Sequence, residues 1–114
     1  MPKFWKDLRA RHYSWPHKRV APLYLDELKK KTALLMKERE ALIALGADQE
    51  DIREITSLLQ KIRVAQEKLQ ALVRTNDFVK LRLAIDNARD VNDAAMYLTV
   101  GIAEIKKRLG PKKS

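Results

Sequence analysis

The sequence predicts an all-α protein: an antiparallel, coiled-coil-like helical hairpin with a third helix packed against it. The four prolines of the 114-residue chain all lie near its two ends, and between Leu23 and Leu109 only Gly46 and Gly101 would weaken a helix. Apolar residues in that span recur at steps of three and four, which is the spacing of one helix face. A chain of this length fits a single domain with a modest core.

The N-terminal residues 1–21 are predicted to form an irregular, basic arm. A short helix inside this arm is expected to end at Pro16, because the residue before a proline avoids helical backbone angles. Residues 17–21 would then form an extended connector. The helical domain is predicted to span residues 22–109, and residues 110–114 to form a basic C-terminal tail.

The first long helix is predicted to begin at Pro22 and to end at Gly46, since glycine readily adopts the left-handed conformation that closes many helices. Its apolar stripe consists of Leu25, Leu28, Thr32, Leu35, Met36, Leu42 and Ile43, widened by Leu34, Ala41 and Leu45. We expect this stripe to face the core.

The second helix is predicted to start after Asp48, whose carboxylate can accept a hydrogen bond from a free N–H group of the first turn. Its apolar seam follows a heptad pattern and consists of Ile52, Ile55, Leu59, Ile62, Leu69 and Val73. Gln66 occupies one position of this seam, where it could be buried and set the helix register, or lie at the edge of the core. Leu58, Ala65 and Leu72 widen the seam, which indicates that a third helix covers it.

The third helix is predicted to follow a tight connection at residues 75–77, with Asp77 as its N-cap, and to stop at Gly110 and Pro111. Its apolar residues are Phe78, Leu81, Ile85, Ala88, Ala95, Leu98, Ile102, Ile105 and Leu109. At 1.5 Å per residue this helix is roughly 50 Å long. The short connection requires it to run antiparallel to the second helix.

The composition argues against several classes of protein. The chain has no cysteine, which excludes disulfides and thiolate metal sites. Its longest uncharged run, Ala94–Ala103, is about half the roughly 20 residues that a membrane-spanning helix needs, and the N-terminus lacks the apolar stretch of a secretory signal. His12 and His17 match neither a helical metal pair nor a base for a serine nucleophile, and the glycines form no phosphate loop. We therefore expect an intracellular protein that is not an enzyme and has no cofactor.

Three aspartates form the one acidic stripe that could bind a cation. Asp86, Asp90 and Asp93 follow one another at spacings of four and three, which places them on one helix face. They could hold a divalent cation or attract a basic partner. We favour a solvated face paired with Arg82 and Arg89, because sites for hard cations usually draw their ligands from a loop or from several elements. We also expect the helix to continue through this stripe.

The net charge of +9 is concentrated at the two ends of the chain. Residues 1–24 carry six basic side chains and one acidic one, residues 25–103 carry thirteen of each sign, and residues 104–114 carry five basic and one acidic. Cationic ends of this kind attract phosphate groups, anionic lipids or acidic protein surfaces.

The N-terminal arm interleaves these cations with aromatic rings, a composition that suits a binding segment. The predicted partner-binding residues are Phe4, Trp5, Arg9, Arg11, Tyr13, Trp15, Lys18 and Arg19 in the arm, and Lys106, Lys107, Arg108, Lys112 and Lys113 at the C-terminal end. Trp5 and Trp15 are the expected anchors, because buried aromatic side chains tend to dominate interface energy. The alternative is an arm that packs against its own bundle.

A neutral helical body with basic ends is similar in general style to small accessory subunits of large organellar or ribonucleoprotein assemblies, although no motif carries that similarity. We therefore predict a non-catalytic structural subunit that docks onto the protein subunits of a larger complex through its basic ends. Three alternatives stay open: a ribosome-associated RNA-binding protein, a coiled-coil homo-oligomeric adaptor, and a protein bound to an anionic lipid surface. The basic, acid-poor N-terminus also resembles an organelle-targeting presequence, which suggests a mitochondrial location.

Overall fold

Three α-helices make up the fold in the computed structural model, which describes the backbone of residues 3–110 and the side chains of residues 19–110. The helices are α1 (Lys3–Ala44), α2 (Gln49–Val73) and α3 (Phe78–Leu109), and every pair of them is in contact. Each connection has only four residues, so α2 runs antiparallel to both α1 and α3. The predicted all-α hairpin with a third packed helix is confirmed, and α1 and α3 are parallel.

The start of α1 corrects the expectation of an irregular arm before Pro22. The helix begins at Lys3 and contains both Pro16 and Pro22. One reason lies in the packing: Ala21 is fully buried with the core, so the buried stripe of α1 crosses the proline. Pro22 has no N–H group to donate to the carbonyl group four residues before it in the helix. Pro22 is exposed, so water can hydrate that carbonyl group.

The turn between α1 and α2 depends on Gly46, as predicted. This residue has a φ of +78°, in the left-handed region, and its N–H group donates to the carbonyl oxygen of Ile43 at 3.1 Å. The N–H group of Ala47 donates to the carbonyl oxygen of Leu42 at 3.0 Å. Together these bonds form a Schellman motif, which satisfies the last carbonyl groups of α1.

The same substitution at two glycines should change stability in opposite directions. We expect Gly46→Ala to lower the free energy of unfolding by about 1 kcal/mol, because a Cβ atom disfavours positive φ. Gly101 lies inside α3, and a Cβ atom there would meet no other atom within 4 Å. Gly101→Ala should therefore raise the free energy of unfolding by about 0.5–1 kcal/mol. Urea denaturation measures the change in the free energy of unfolding for each variant. Changes of the same sign in both variants would contradict this account of the turn.

The N-termini of α2 and α3 are capped differently. Asp48 precedes α2 as predicted, but its side chain makes no capping hydrogen bond. Its own carbonyl oxygen accepts the N–H group of Ile52 at 3.2 Å. Asp77 caps α3 as predicted, since its carboxylate accepts a hydrogen bond from the N–H group of Lys80 at 3.0 Å. The α2–α3 turn is thus closed by a side-chain cap.

The core is a single cluster at the centre of the three helices. Its buried members are Ala21, Leu28, Leu35, Leu42, Ile52, Ile55, Leu58, Ile62, Ala65, Leu69, Leu81, Ala84, Ile85, Ala88, Ala95 and Ile102. Leu58 and Ala65, predicted beside the seam of α2, are among them, whereas Gln66 is only half-buried and lies at the edge of the core. The amide of Gln66 is therefore an edge group.

The predicted core-facing stripe of α1 was wrong at two positions: Met36 and Ile43 are 56% and 51% exposed. The buried side chains of α1 recur at steps of seven, a narrower stripe than its apolar residues suggest. Each residue turns a helix by about 100°, so Met36 and Ile43 point well away from the neighbouring Leu35 and Leu42. A helix with both partners on one side buries only such a narrow stripe.

Candidate functional site

The two groups of cations predicted to bind a partner lie toward opposite ends of the bundle. Lys106, near the end of α3, forms an ion pair with Glu38, six residues before the end of α1. Arg19 lies nineteen residues before Glu38 in the same helix, which corresponds to about 28 Å. Because α1 and α3 are parallel, the fold does not bring the two groups together. One small anionic ligand could not contact both groups.

The C-terminal group belongs to the last turn of α3. Lys106, Lys107 and Arg108 lie where the negative end of the helix dipole favours cations. Lys107 and Arg108 are exposed, while Lys106 is held by Glu38. These side chains therefore already stabilise the helix end, and Lys107 and Arg108 remain accessible to a partner.

Most of the N-terminal group precedes the part of the chain whose side chains the structure describes. Arg19 is exposed. The other predicted binding residues before it in α1 are Phe4, Trp5, Arg9, Arg11, Tyr13, Trp15 and Lys18, and their side chains lie outside the described residues, as do Lys112 and Lys113.

The length of α1 nevertheless constrains what this segment can contact. α1 has 42 residues and α2 has 25, which leaves 17 residues of α1 that α2 cannot cover. The buried stripe of α1 runs in steps of seven from Leu42 back to Ala21. The next two steps are Ser14 and Asp7, which are polar. The sequence therefore does not continue the apolar seven-residue spacing before Ala21.

The acidic stripe of α3 behaves mainly as a solvated face. Asp86 pairs with Arg89 at 3.8 Å, and Asp90 and Asp93 are exposed. Among the described residues there is no group of three or more His, Asp or Glu side chains that could hold a metal ion. The α3 helix is continuous through the stripe, as predicted.

One lysine has a perturbed proton affinity. The Asp26 carboxylate, 3.2 Å from the ammonium group, raises the pKa of Lys30 above its usual 10.5 by accepting a hydrogen bond and by its charge, and Glu27 adds to the effect. Lys30 is exposed in a helical row of charges. A raised pKa keeps this amine protonated, which is the opposite of what a general base needs.

Sequence reasoning missed an apolar cluster on the outer face of α3. Met96, Tyr97 and Val100 are 54%, 80% and 65% exposed. The uncharged run from Ala94 to Ala103 is the signal that could have predicted it. Ten residues make almost three helical turns, and an amphipathic helix buries only one side, so some of these residues must face solvent.

A groove between α2 and α3 was also missed. It has a volume of about 230 Å³ and is lined by Gln60, Lys61, Val64, Lys68, Asn87 and Val91. The antiparallel pairing of these two helices was predicted, but the register and rotation that bring these six side chains together are set by packing, which the apolar pattern alone does not give.

No helix in the part of the chain that the structure describes is apolar over a length sufficient to cross a bilayer. Comparisons with protein-family models, with curated proteins and with solved structures gave no match for this chain.

Proposed function

We propose that this chain is a non-catalytic accessory subunit that docks onto a larger protein assembly through the N-terminal part of α1, residues 3–19. The observation that supports this most is the mismatch in helix length: 17 residues of α1 exceed the reach of α2. Among the side chains that the structure describes, the buried stripe of α1 begins at Ala21, and the two heptad positions before it are polar residues. In this proposal the segment beyond the reach of α2 contacts the surface of the partner.

The sequence of this segment suits a protein surface. Phe4, Leu8 and Trp15 are spaced by four and seven residues, which places them on one face of a helix, and Trp5 borders that face. An amphipathic helix that presents such a row binds in an apolar groove of its partner. The basic side chains of the segment add long-range attraction to an acidic rim, which speeds association more than it strengthens the complex.

The C-terminal cations are a second, separate contact in this proposal. The ion pair between Lys106 and Glu38 places the end of α3 beside Glu38. Glu38 is about 28 Å along α1 from residue 19, where the docking segment ends, so Lys107 and Arg108 lie at least about that far from the segment. A partner that touches both groups must extend along the bundle. A large assembly offers such a surface. We also propose a mitochondrial location from the basic, acid-poor N-terminus, which imaging of the full-length chain tests.

The experiment is affinity capture of the full chain, tagged at its C-terminus, followed by identification of cross-linked proteins. Trp5→Ala combined with Trp15→Ala should abolish capture of the partner. The matched control combines Met36→Ala and Ile43→Ala, two exposed apolar positions of α1 outside the docking segment, and should capture normally. Capture that survives loss of both tryptophans contradicts the proposal.

Salt and nuclease treatment separate this function from RNA binding. Contacts with phosphate release counterions, so an RNA complex should weaken about 1,000-fold or more between low and moderate salt if it uses six or more phosphates. A complex held by the apolar row of Phe4, Leu8 and Trp15 should survive both treatments. Loss of capture after ribonuclease treatment would favour the RNA-binding alternative.

A further inference from the structure

The fold gathers uncompensated positive charge at one end of the bundle. This end consists of residues 19–25 of α1 together with residues 68–82, which include the turn between α2 and α3. These residues carry five basic side chains and one acidic one. At the opposite end, residues 45–54 and 104–110 carry four basic side chains and five acidic ones. Within the described part of the chain, acidic residues at the start of α2 therefore balance the cations at the end of α3, and only the first end is basic.

The pairing of α1 with α2 places Arg19 at this basic end. Arg39 of α1 donates a hydrogen bond to Thr56 of α2, with 2.9 Å between Nε and Oγ1. Because the two helices are antiparallel, a position twenty residues before Arg39 lies level with a position about twenty residues after Thr56. Arg19 is therefore level with the turn that follows Val73, the last residue of α2.

Three further cations lie around this turn. Arg74 directly follows α2, and Lys80 and Arg82 belong to the first two turns of α3. All three side chains are exposed. Lys80 pairs with Asp77 at 3.8 Å, whereas Arg74 and Arg82 have no ion pair with any described residue. We call Arg19, Arg74, Lys80 and Arg82 the basic collar.

The collar is distributed around the end of the bundle and does not form a row on one face. Arg82 precedes the groove residue Asn87 by five positions, which turns it about 140° away from the groove between α2 and α3. Arg74 follows the groove residue Lys68 by six positions, which turns it about 120° away from the same groove. α1 continues beyond this level to Lys3. The collar thus lies at the base of the docking segment, residues 3–19.

Exposed apolar side chains accompany the collar. Leu23, Val79 and Leu83 are 66%, 70% and 63% exposed. Leu23 lies one helical turn after Arg19 in α1, and Val79 and Leu83 are one turn apart in α3. Arginine beside apolar side chains is typical of protein–protein interfaces, in which arginine is enriched and lysine is depleted. A nucleic-acid backbone offers phosphates but little apolar surface, so this composition favours a protein partner.

We propose that the collar contacts an acidic rim on the protein partner, at the mouth of the groove that receives the docking segment. This proposal rests on the proposed function and assigns a second contact to the same interface. Carboxylates suit the collar because a guanidinium group binds a carboxylate through two parallel hydrogen bonds. Complementary charges at a rim speed association more than they slow dissociation. The collar therefore directs the docking segment into the groove, and the apolar contacts hold it there.

Photo-cross-linking identifies the surface that covers the collar. The full-length chain, tagged at its C-terminus, carries p-benzoylphenylalanine in place of Leu83 and is irradiated in a cell extract treated with ribonuclease. We expect a cross-link to the protein that the wild-type chain captures, in a peptide with more aspartate and glutamate than lysine and arginine. The control carries the same group in place of Tyr97, an exposed residue about 21 Å farther along α3, and should not cross-link to that peptide.

Charge reversal measures how much the collar contributes. Arg74→Glu with Arg82→Glu should lower the association rate with the cross-linked protein about tenfold at low salt, with little change in the dissociation rate. Arg53→Glu with Arg108→Glu is the matched control, because it changes the net charge equally at exposed positions of the opposite end. The control should leave both rates unchanged. Circular dichroism checks that both variants are folded.

Failure of the collar is distinguishable from failure of docking. If Trp5→Ala with Trp15→Ala abolishes capture while Arg74→Glu with Arg82→Glu associates at the wild-type rate, docking stands and the collar is overturned. Equal slowing by the control pair also overturns the collar, because net charge alone would explain the effect. A wild-type chain that captures no protein overturns both proposals. Cross-links from residue 83 to nucleic acid alone, in an extract without ribonuclease, would assign the collar to phosphate groups.

Discussion

Leu35→Ala should lower the free energy of unfolding by about 3 kcal/mol. Leu35 is 0% exposed and lies in the middle of the buried stripe of α1, where it faces both other helices. Truncation removes its buried methyl groups and leaves a cavity that a helical bundle closes only partly. Small domains are stable by about 5–15 kcal/mol, so this one change removes a large share of the total. Urea denaturation followed by far-ultraviolet circular dichroism measures it.

Leu23→Ala is the matched control for this change. It is the same substitution in the same helix, but Leu23 is 66% exposed and should contribute less than about 1 kcal/mol. The two variants should therefore differ by at least about 2 kcal/mol. Similar losses in the free energy of unfolding at the two leucines would show that the residues spaced by seven, from Ala21 to Leu42, are not the buried face of α1.

Deletion of residues 1–18 should abolish docking and leave the bundle folded. The buried residues of the described chain lie between Ala21 and Ile102. The positions one and two heptads before Ala21 are polar. We therefore expect the melting temperature to fall by less than about 8 °C, which corresponds to about 1 kcal/mol for a domain of this size. Thermal unfolding measures stability, and affinity capture of whichever partner the full chain captures measures docking.

A longer deletion provides the contrast. Removal of residues 1–28 also removes Ala21 and Leu28, which are both fully buried in the core cluster. We expect this variant to lose at least about 3 kcal/mol and to be largely unfolded at physiological temperature. A large loss of stability in the shorter deletion would instead indicate that residues 1–18 pack against their own bundle, the alternative to a docking segment.

Local chemistry explains which features of the fold were predictable. A glycine at position 46 and an aspartate at position 77 mark helix ends because the conformation and the hydrogen bond they provide involve only neighbouring residues. The same reasoning placed Ile55, Ile62 and Leu69 on one face of α2, since helical periodicity depends on residue spacing alone. The candidate binding residues were likewise chosen from composition, without knowledge of their positions in space.

Tertiary packing decided the features that local rules mispredicted. Pro22 was predicted to begin the first long helix, but α1 continues through it, because Ala21 before it and Leu28 after it are both buried in one cluster. Met36 has the same apolar character as Leu35 but is exposed, because burial depends on where α2 and α3 lie. No single helix contains that information.

The sequence by itself determined three helices, the turns that join them and the concentration of positive charge at both ends of the chain. Only the tertiary structure decided that α1 continues through both prolines back to Lys3, and that Lys61 and Lys68 share a groove with Asn87 and Val91. Propensity, capping and charge act over a few residues. A helix that continues through a proline, and side chains of different helices that meet in one groove, depend on how the helices bury their apolar faces together.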